Sequence, residues 1–185
     1  MKNLKISGLL AVLFIFVGTL TSCAQEGVKF SKIDKSPADI ALLRLEKGAP
    51  VAVKVIYGRP QKKGRPIFGE GGLVPNGKIW RTGANEATEV TFYKNATFGG
   101  KSIPAGTYVL HTIPGDKEWT VILNKNLNVW GAYQYKPEAD LVRFKVKSSA
   151  AEDSLEAFSI AFDNGENKAM VLGWDKTRVR IPLKF

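Results

Sequence analysis

From Val51 to Phe185 the apolar residues recur at every second position in short runs, and each run stops at a glycine, proline or asparagine-glycine turn signal. A period of two sends successive side chains to opposite faces of an extended chain, so the pattern admits strands and little helix. Val51, Val53, Val55 and Tyr57 share one face, with Lys54 on the other, between Pro50 and Gly58. Val90 and Phe92 resume the pattern within Thr88 to Lys94. Turn signals then follow closely: Gly99-Gly100, Pro104-Ala105-Gly106, and Pro114-Gly115-Asp116 between residues 107–112 and 118–124. Further strands are expected over 140–147, where Val142, Phe144 and Val146 alternate with Arg143, Lys145 and Lys147, and over 155–162, with Phe158, Ile160 and Phe162 inward. Asn164-Gly165 predicts a hairpin into 168–174, and Asp175-Lys176 another into 177–185, where Val179, Ile181, Leu183 and Phe185 line one face.

One segment breaks the pattern. Ser36 as N-cap, Pro37 at the first helical position, Asp39, apolar Ile40, Leu42, Leu43 and Leu45, and Gly48 as terminator predict one short amphipathic helix. A short strand is also possible over 28–33. The expected fold is therefore mainly β: an antiparallel β-sandwich or open barrel with one short N-terminal helix and a long ordered loop.

The beginning of the chain speaks to location. Lys2 and Lys5 precede an apolar run, Gly8 to Leu20, that is short for a permanent membrane span and fits a secretory signal. The run ends in Leu20-Thr21-Ser22-Cys23, which looks like the lipobox of bacterial lipoproteins and implies cleavage before Cys23 with acylation of that residue; an ordinary signal peptide ahead of a cysteine is the alternative. The expected organisation is a signal peptide over 1–22, a tether over 23–35 and one domain over 36–185. Ala24 in place of an acidic residue favours the outer membrane by resemblance to lipoprotein sorting patterns, and the lack of an acidic run favours its periplasmic face.

Cleavage would leave 163 of the 185 residues, enough for a real core, and 25 basic against 17 acidic side chains, a formal charge of +8. Nucleic acid is the usual partner of such a balance, but a periplasmic address argues against it, which leaves anionic glycans, lipid head groups and acidic proteins. Cys23 is the one cysteine, so its acylation leaves no disulfide, thiol nucleophile or cysteine metal ligand. His111 is the one histidine, which rules out a three-histidine or HExxH zinc site. No metal or cofactor is expected.

The chemistry gathers in a stretch without period, Tyr57 to Thr88 (YGRPQKKGRPIFGEGGLVPNGKIWRTGANEAT). Long glycine- and proline-rich loops inside compact domains are usually binding surfaces, lids or disorder, and Ile67, Phe68, Leu73, Val74, Ile79 and Trp80 argue for order. YGRPQKKGRPIFG, LVPNGKIWRTGANEAT, PAGTYVLHTIPG and, from the second irregular stretch, NVWGAY resemble the bacterial family known as domain of unknown function 2911 over essentially the whole mature chain. Members of that family look like secreted proteins or lipoproteins of the Bacteroidetes type. The resemblance carries no activity, substrate or catalytic residue, and Glu70-Gly71-Gly72 looks like a small insertion within it.

Two uses of these residues compete. Arg59, Arg65, Arg81 and Asn85 can make forked hydrogen bonds to carboxylates, phosphates or hydroxyls, while Trp80, Trp130 and Tyr133 offer flat apolar faces, so an anionic or carbohydrate ligand is expected there. Catalysis would instead fall to Glu86 as acid or base, with Glu70, Glu89, Asp116 and Glu118 nearby in sequence, and to His111. The plain alternatives are a Glu86 ion pair with Arg81 or Arg59 that locks the loop, a solvent-exposed or hydrogen-bonded strand histidine, and tryptophans that belong to the core, as expected for Trp119 and Trp174. Alternation places His111 opposite Tyr108 and Leu110, on the outer face if those two face the core. A third possibility is a scaffold lipoprotein with no small ligand, which needs a flat apolar patch.

Overall fold

Nine strands carry the chain, namely β1 (Ala38–Arg44), β2 (Val51–Gly58), β3 (Glu89–Phe92), β4 (Ala96–Phe98), β5 (Lys101–Ile103), β6 (Gly106–Ile113), β7 (Glu118–Asn124), β8 (Asp140–Asp163) and β9 (Ala169–Lys184). The computed structural model describes residues 27–185, so the expected signal peptide and Cys23 lie outside the described residues. Residues 27–32 belong to a separate N-terminal unit, and Ile33 to Phe185 form one compact unit. All nine strands join a single antiparallel sheet in the order β1-β2-β3-β6-β7-β8-β9-β4-β5, whose two end strands do not pair with each other. The predicted hairpins at Gly99-Gly100, Pro114-Gly115 and Asn164-Gly165 connect β4 to β5, β6 to β7 and β8 to β9.

The sheet curls around one apolar face. Val53, Val55, Val90, Phe92, Leu110, Trp119, Val121, Leu123, Phe158, Leu172, Trp174, Val179 and Ile181 form a continuous buried cluster, each on the inward position its alternation assigns. β2 exits along the C-terminal half of β8, where the Phe158 amide donates to the Pro60 carbonyl (2.9 Å) and the Lys62 amide to the Glu156 carbonyl (2.7 Å). The Tyr57 hydroxyl accepts from the Ile160 amide at 3.0 Å, which laces the same two arms together. This is an open barrel.

Several expectations are corrected. The helix predicted over 36–48 is strand β1, and the only helical element among the described residues is the 3-10 turn Pro137–Ala139. An isolated three-turn helix is marginal and a good cap contributes about 1 kcal/mol. The edge of β2 offers a backbone ladder from Ala38↔Gly58 to Arg44↔Val51, with Leu43 buried beneath it, and that outweighs the cap. The runs at 140–147 and 155–162 are one strand of 24 residues, and those at 168–174 and 177–185 one of 16. Asp175 has a φ of 49°, yet it pairs with Leu155 across a register shift, so Asp175-Lys176 forms a bulge and not a reversal. Residues 28–33 form no strand, and Phe185 lies past the last pairing and is exposed.

Candidate functional site

The long loop is ordered because its apolar residues enter the core. Trp80 takes up the lane of the sheet beyond β3, exchanging backbone hydrogen bonds with Thr112 at 2.8 and 3.0 Å. That pairing points the indole inward, where it stacks on Trp174 (centroids 5.9 Å, interplanar angle 17°) and meets Phe68, Trp119 and Phe158 edge-on. Its Nε1 donates to the Gly83 carbonyl at 3.1 Å. Trp80, expected among the ligand-binding residues, is a buried core residue.

Three of the loop's cations are also engaged. Arg59 forms an ion pair with Asp39 (2.9 Å) and donates to the Phe158 carbonyl and the Ser159 hydroxyl. Lys62 pairs with Asp175 at 2.6 Å, with the ammonium and the Ser154 hydroxyl together holding that carboxyl below the usual carboxylate range. Arg65 donates to the carbonyls of Lys62 and Gln61. Neither Arg59 nor Arg81 pairs with Glu86, so the expected ionic lock does not form.

What projects from the loop instead is the turn within WRTGANEAT. Thr82 (φ 56°) and Asn85 (φ 61°) both lie in the left-handed region, which is uncommon for Asn and unfavourable for β-branched Thr. The strain is held by buried partners: the Thr88 hydroxyl donates to the Thr82 carbonyl at 2.7 Å, and the Thr82 and Thr112 hydroxyls stand 3.0 Å apart. With the turn fixed from below, Asn85 and Glu86 are presented outward. The Asn85 amide donates to Asp34 Oδ1 at 3.1 Å.

These two residues open onto a groove of about 320 Å³ on the outer face of the sheet. Ala38 and Ile56 form one wall, Asn85, Glu86 and Glu89 the polar side, and Asn128 with Val129 the far wall. Glu89 Oε1 accepts the Asn128 amide at 3.0 Å. Glu86 lies opposite Trp130 in an antiparallel bridge framed by Ala87 N–Val129 O (2.9 Å) and Gly131 N–Asn85 O (3.0 Å). That is the non-hydrogen-bonded type of pair, which brings the two side chains together on one face. Among the described residues neither Glu86 nor Glu89 makes an ion pair, and no cation lines the groove. Trp130 is 57 % and Tyr133 86 % exposed.

His111 belongs to a different place. It is 1 % exposed on the outer face of β6, as the alternation predicts, but it lies under the second irregular stretch with the Tyr135 ring edge-on at 5.1 Å. Burial pushes its pKa down, against the Trp80 carbonyl and the Asp140 carboxylate. The Tyr135 hydroxyl donates to Asp140 Oδ2 (2.7 Å) and accepts from Arg143 Nη2 (2.6 Å), and Asn124 donates to Asp140 Oδ1 (2.9 Å). Burial first, then Asp140, pushes the Tyr135 phenol up to about 12, so it stays a donor. Arg81 is half-buried, with its Nη1 3.6 Å from where a Cβ on Gly131 would stand. His111 does not line the groove, so Glu86 and His111 do not form a pair. Sequence reasoning missed Ile56, Asn128 and the Tyr135–Asp140–Arg143 network; the one available signal was an isoleucine on the polar face of β2.

A family model described as a protein of unknown function, DUF2911, matches residues 38–183, from the first residue of β1 almost to the end of β9. The chain belongs to the DUF2911 family. The DUF2911 region thus contains nearly all of the groove and the whole His111 cluster. No curated protein and no solved structure is significantly similar to this DUF2911 chain.

Proposed function

We propose that this DUF2911 protein is a lipid-anchored, non-catalytic binding protein of the cell envelope that takes a carbohydrate in the outer-face groove. The observation that carries the reading is the convergence of Asn85, Glu86, Glu89 and Asn128 around the apolar surface of Ile56 and Val129, with the Trp130 indole beside Glu86. Sugar hydroxyls donate to carboxylates and accept from amides, and the C–H face of a pyranose lies on an indole or aliphatic wall. An anionic ligand fits less well, because Arg59, Lys62 and Arg65 are engaged elsewhere. A hydrolase built on Glu86 and His111 fits poorly for the reason already given.

Titration with envelope glycans, followed by NMR or calorimetry, tests the site. Glu86→Gln and Glu89→Gln each remove a charged acceptor, whose hydrogen bonds are worth about 1.5–3 kcal/mol, so each is expected to weaken binding roughly 10- to 100-fold. Arg65→Ala should leave it unchanged. A glycan panel without response, or affinity indifferent to both glutamates, defeats the proposal.

The anchor rests on the sequence around Cys23. Among the described residues no helix is long and apolar enough to cross a membrane. Cys23→Ala is expected to abolish metabolic labelling with a fatty-acid probe and to move the protein out of the membrane fraction. Labelling that survives the substitution would remove the anchor. A second reading, a scaffold lipoprotein, draws on Ile40, Leu42 and Ile56, which stand exposed together on the outer face of β1 and β2; photo-crosslinking from position 42 that captures no protein partner would dispose of it.

A further inference from the structure

The second irregular stretch, residues 125–136, supplies one wall of the groove through Asn128 and Val129 and covers His111 through Tyr135. It contains no strand or helix. It is held by point contacts and not by a ladder: the Tyr135 hydroxyl on Asp140 and Arg143, the Lys136 carbonyl and the Asn126 amide on Asn124, the Lys125 amide on the Ala139 carbonyl, the Asn128 amide on Glu89, and the backbone bonds of Val129 and Gly131 to Ala87 and Asn85. Segments of this kind open at lower free energy than the strands beneath them.

We propose that this segment is a proton-operated wall, which releases the groove when His111 becomes an imidazolium. The proposal rests on the groove being the binding site, but the movement of the wall is tested separately below. His111 is enclosed and its Nδ1 has no hydrogen-bond partner. A neutral imidazole tolerates one idle acceptor, whereas an imidazolium there places a charge and an unpaired N–H in a buried site. The groups facing it can be enumerated by element. β8 contributes Asp140 and Arg143, β7 contributes Ile122 and Asn124, the wall contributes Tyr135, and the segment paired to β6 contributes the Trp80 carbonyl followed by Arg81. Asp140 is the carboxylate among them, and it already takes hydrogen bonds from Tyr135, Arg143 and Asn124. Lifting Tyr135 admits water to the ring, and lifting Tyr135 moves the wall.

The direction follows from burial, which holds the closed-state pKa of His111 below the ordinary 6.5. The open form therefore takes up a proton at a pH where the closed form does not. Closed-state stability is fully present above about pH 6.5 and falls as the pH drops below it.

The chain has one histidine and four tryptophans, so NMR of the full-length protein in detergent reports each part separately. Trp130→Phe identifies the Trp130 indole signal. Between pH 7.5 and 5 the His111 ring and the Trp130 indole are expected to shift with one midpoint, while the indoles of Trp80, Trp119 and Trp174 hold their positions. In His111→Gln the Trp130 signal should stay constant over that range. Saccharide affinity should fall about tenfold per pH unit below the midpoint in the wild type, as one proton per closure requires, and stay flat in His111→Gln. Tyr135→Phe keeps the ring but loses the bonds to Asp140 and Arg143, and should move the Trp130 midpoint to higher pH. A Trp130 signal that ignores the His111 midpoint, that moves equally in His111→Gln, or that collapses together with the other three indoles overturns the proposal, as does an unmoved midpoint in Tyr135→Phe. If the wall follows His111 but no saccharide binds, the switch stands and the carbohydrate reading falls.

Discussion

Trp80→Ala is expected to destabilise the domain by about 3–5 kcal/mol, the range for emptying a large aromatic from a packed core. With a urea dependence of about 2 kcal/mol/M, the denaturation midpoint should fall by roughly 2 M, with loss of near-UV circular dichroism at concentrations the wild type resists. The size of the effect comes from the neighbours. Trp80 stacks on Trp174 and touches Phe68, Trp119 and Phe158 edge-on, so its removal opens a void at the meeting point of four aromatic rings from four separate parts of the chain. It also strands the Gly83 carbonyl, which accepts from the indole and helps hold the turn below Asn85 and Glu86. Trp130→Ala makes the contrast: the indole is solvent-facing and paired across from Glu86, so stability should stay within about 0.5 kcal/mol while saccharide affinity drops. Equal losses of stability in the two variants would contradict the placement of both rings.

The sequence treats these two tryptophans alike, and the reason is instructive. Trp119 and Trp174 sit in runs of period two, where alternation assigns them inward, and both are buried. Trp80 and Trp130 sit in stretches without period, so nothing local says which way an indole points; Trp80 turns inward only because its backbone pairs with Thr112, 32 positions away in sequence. The same division runs through the fold. Hairpins with Gly-Gly, Pro-Gly and Asn-Gly turns were legible because turn chemistry is local, as was the outer-face position of His111. Strand β1 was not, since its cap signals are local and the free edge of β2 is not. The bulge at Asp175 reads as a turn by composition, and only the continuous pairing of β8 with β9 makes it something else. Asn85 and Glu86, singled out because they stand in an aperiodic, polar turn, line the groove. Arg59 and Arg65 carry the same outward signs of a ligand contact, but Asp39, Ser159 and neighbouring carbonyls reach them first.

Gly58→Ala should show that the groove is a property of backbone contact as much as of side chains. Gly58 closes β2, and a Cβ placed on it would stand 2.2 Å from the Ala84 carbonyl oxygen and 2.9 Å from its carbon. Both are backbone atoms, so no side-chain rotation relieves the clash. Gly58 does not have a positive φ, and alanine is locally acceptable there, which leaves the approach of the Ala84 backbone as the whole source of the penalty. Overpacking of this kind costs about 1–3 kcal/mol, and the upper end is expected because the turn on the other side is already strained at Thr82 and Asn85. To admit the methyl group, residues 83–86 must move away from β2, and they carry Asn85 and Glu86 with them. Saccharide affinity should therefore fall at least tenfold, with the Trp130 indole signal shifting because Gly131 is bonded to Asn85. Gly48→Ala is the control: its φ of 81° makes alanine unfavourable by about 1 kcal/mol, but nothing lies within 4 Å of the new Cβ, and the groove is untouched. If Gly58→Ala binds saccharide as the wild type does, the groove tolerates displacement of the very turn that presents Glu86, and Glu86 cannot be one of its fixed contacts.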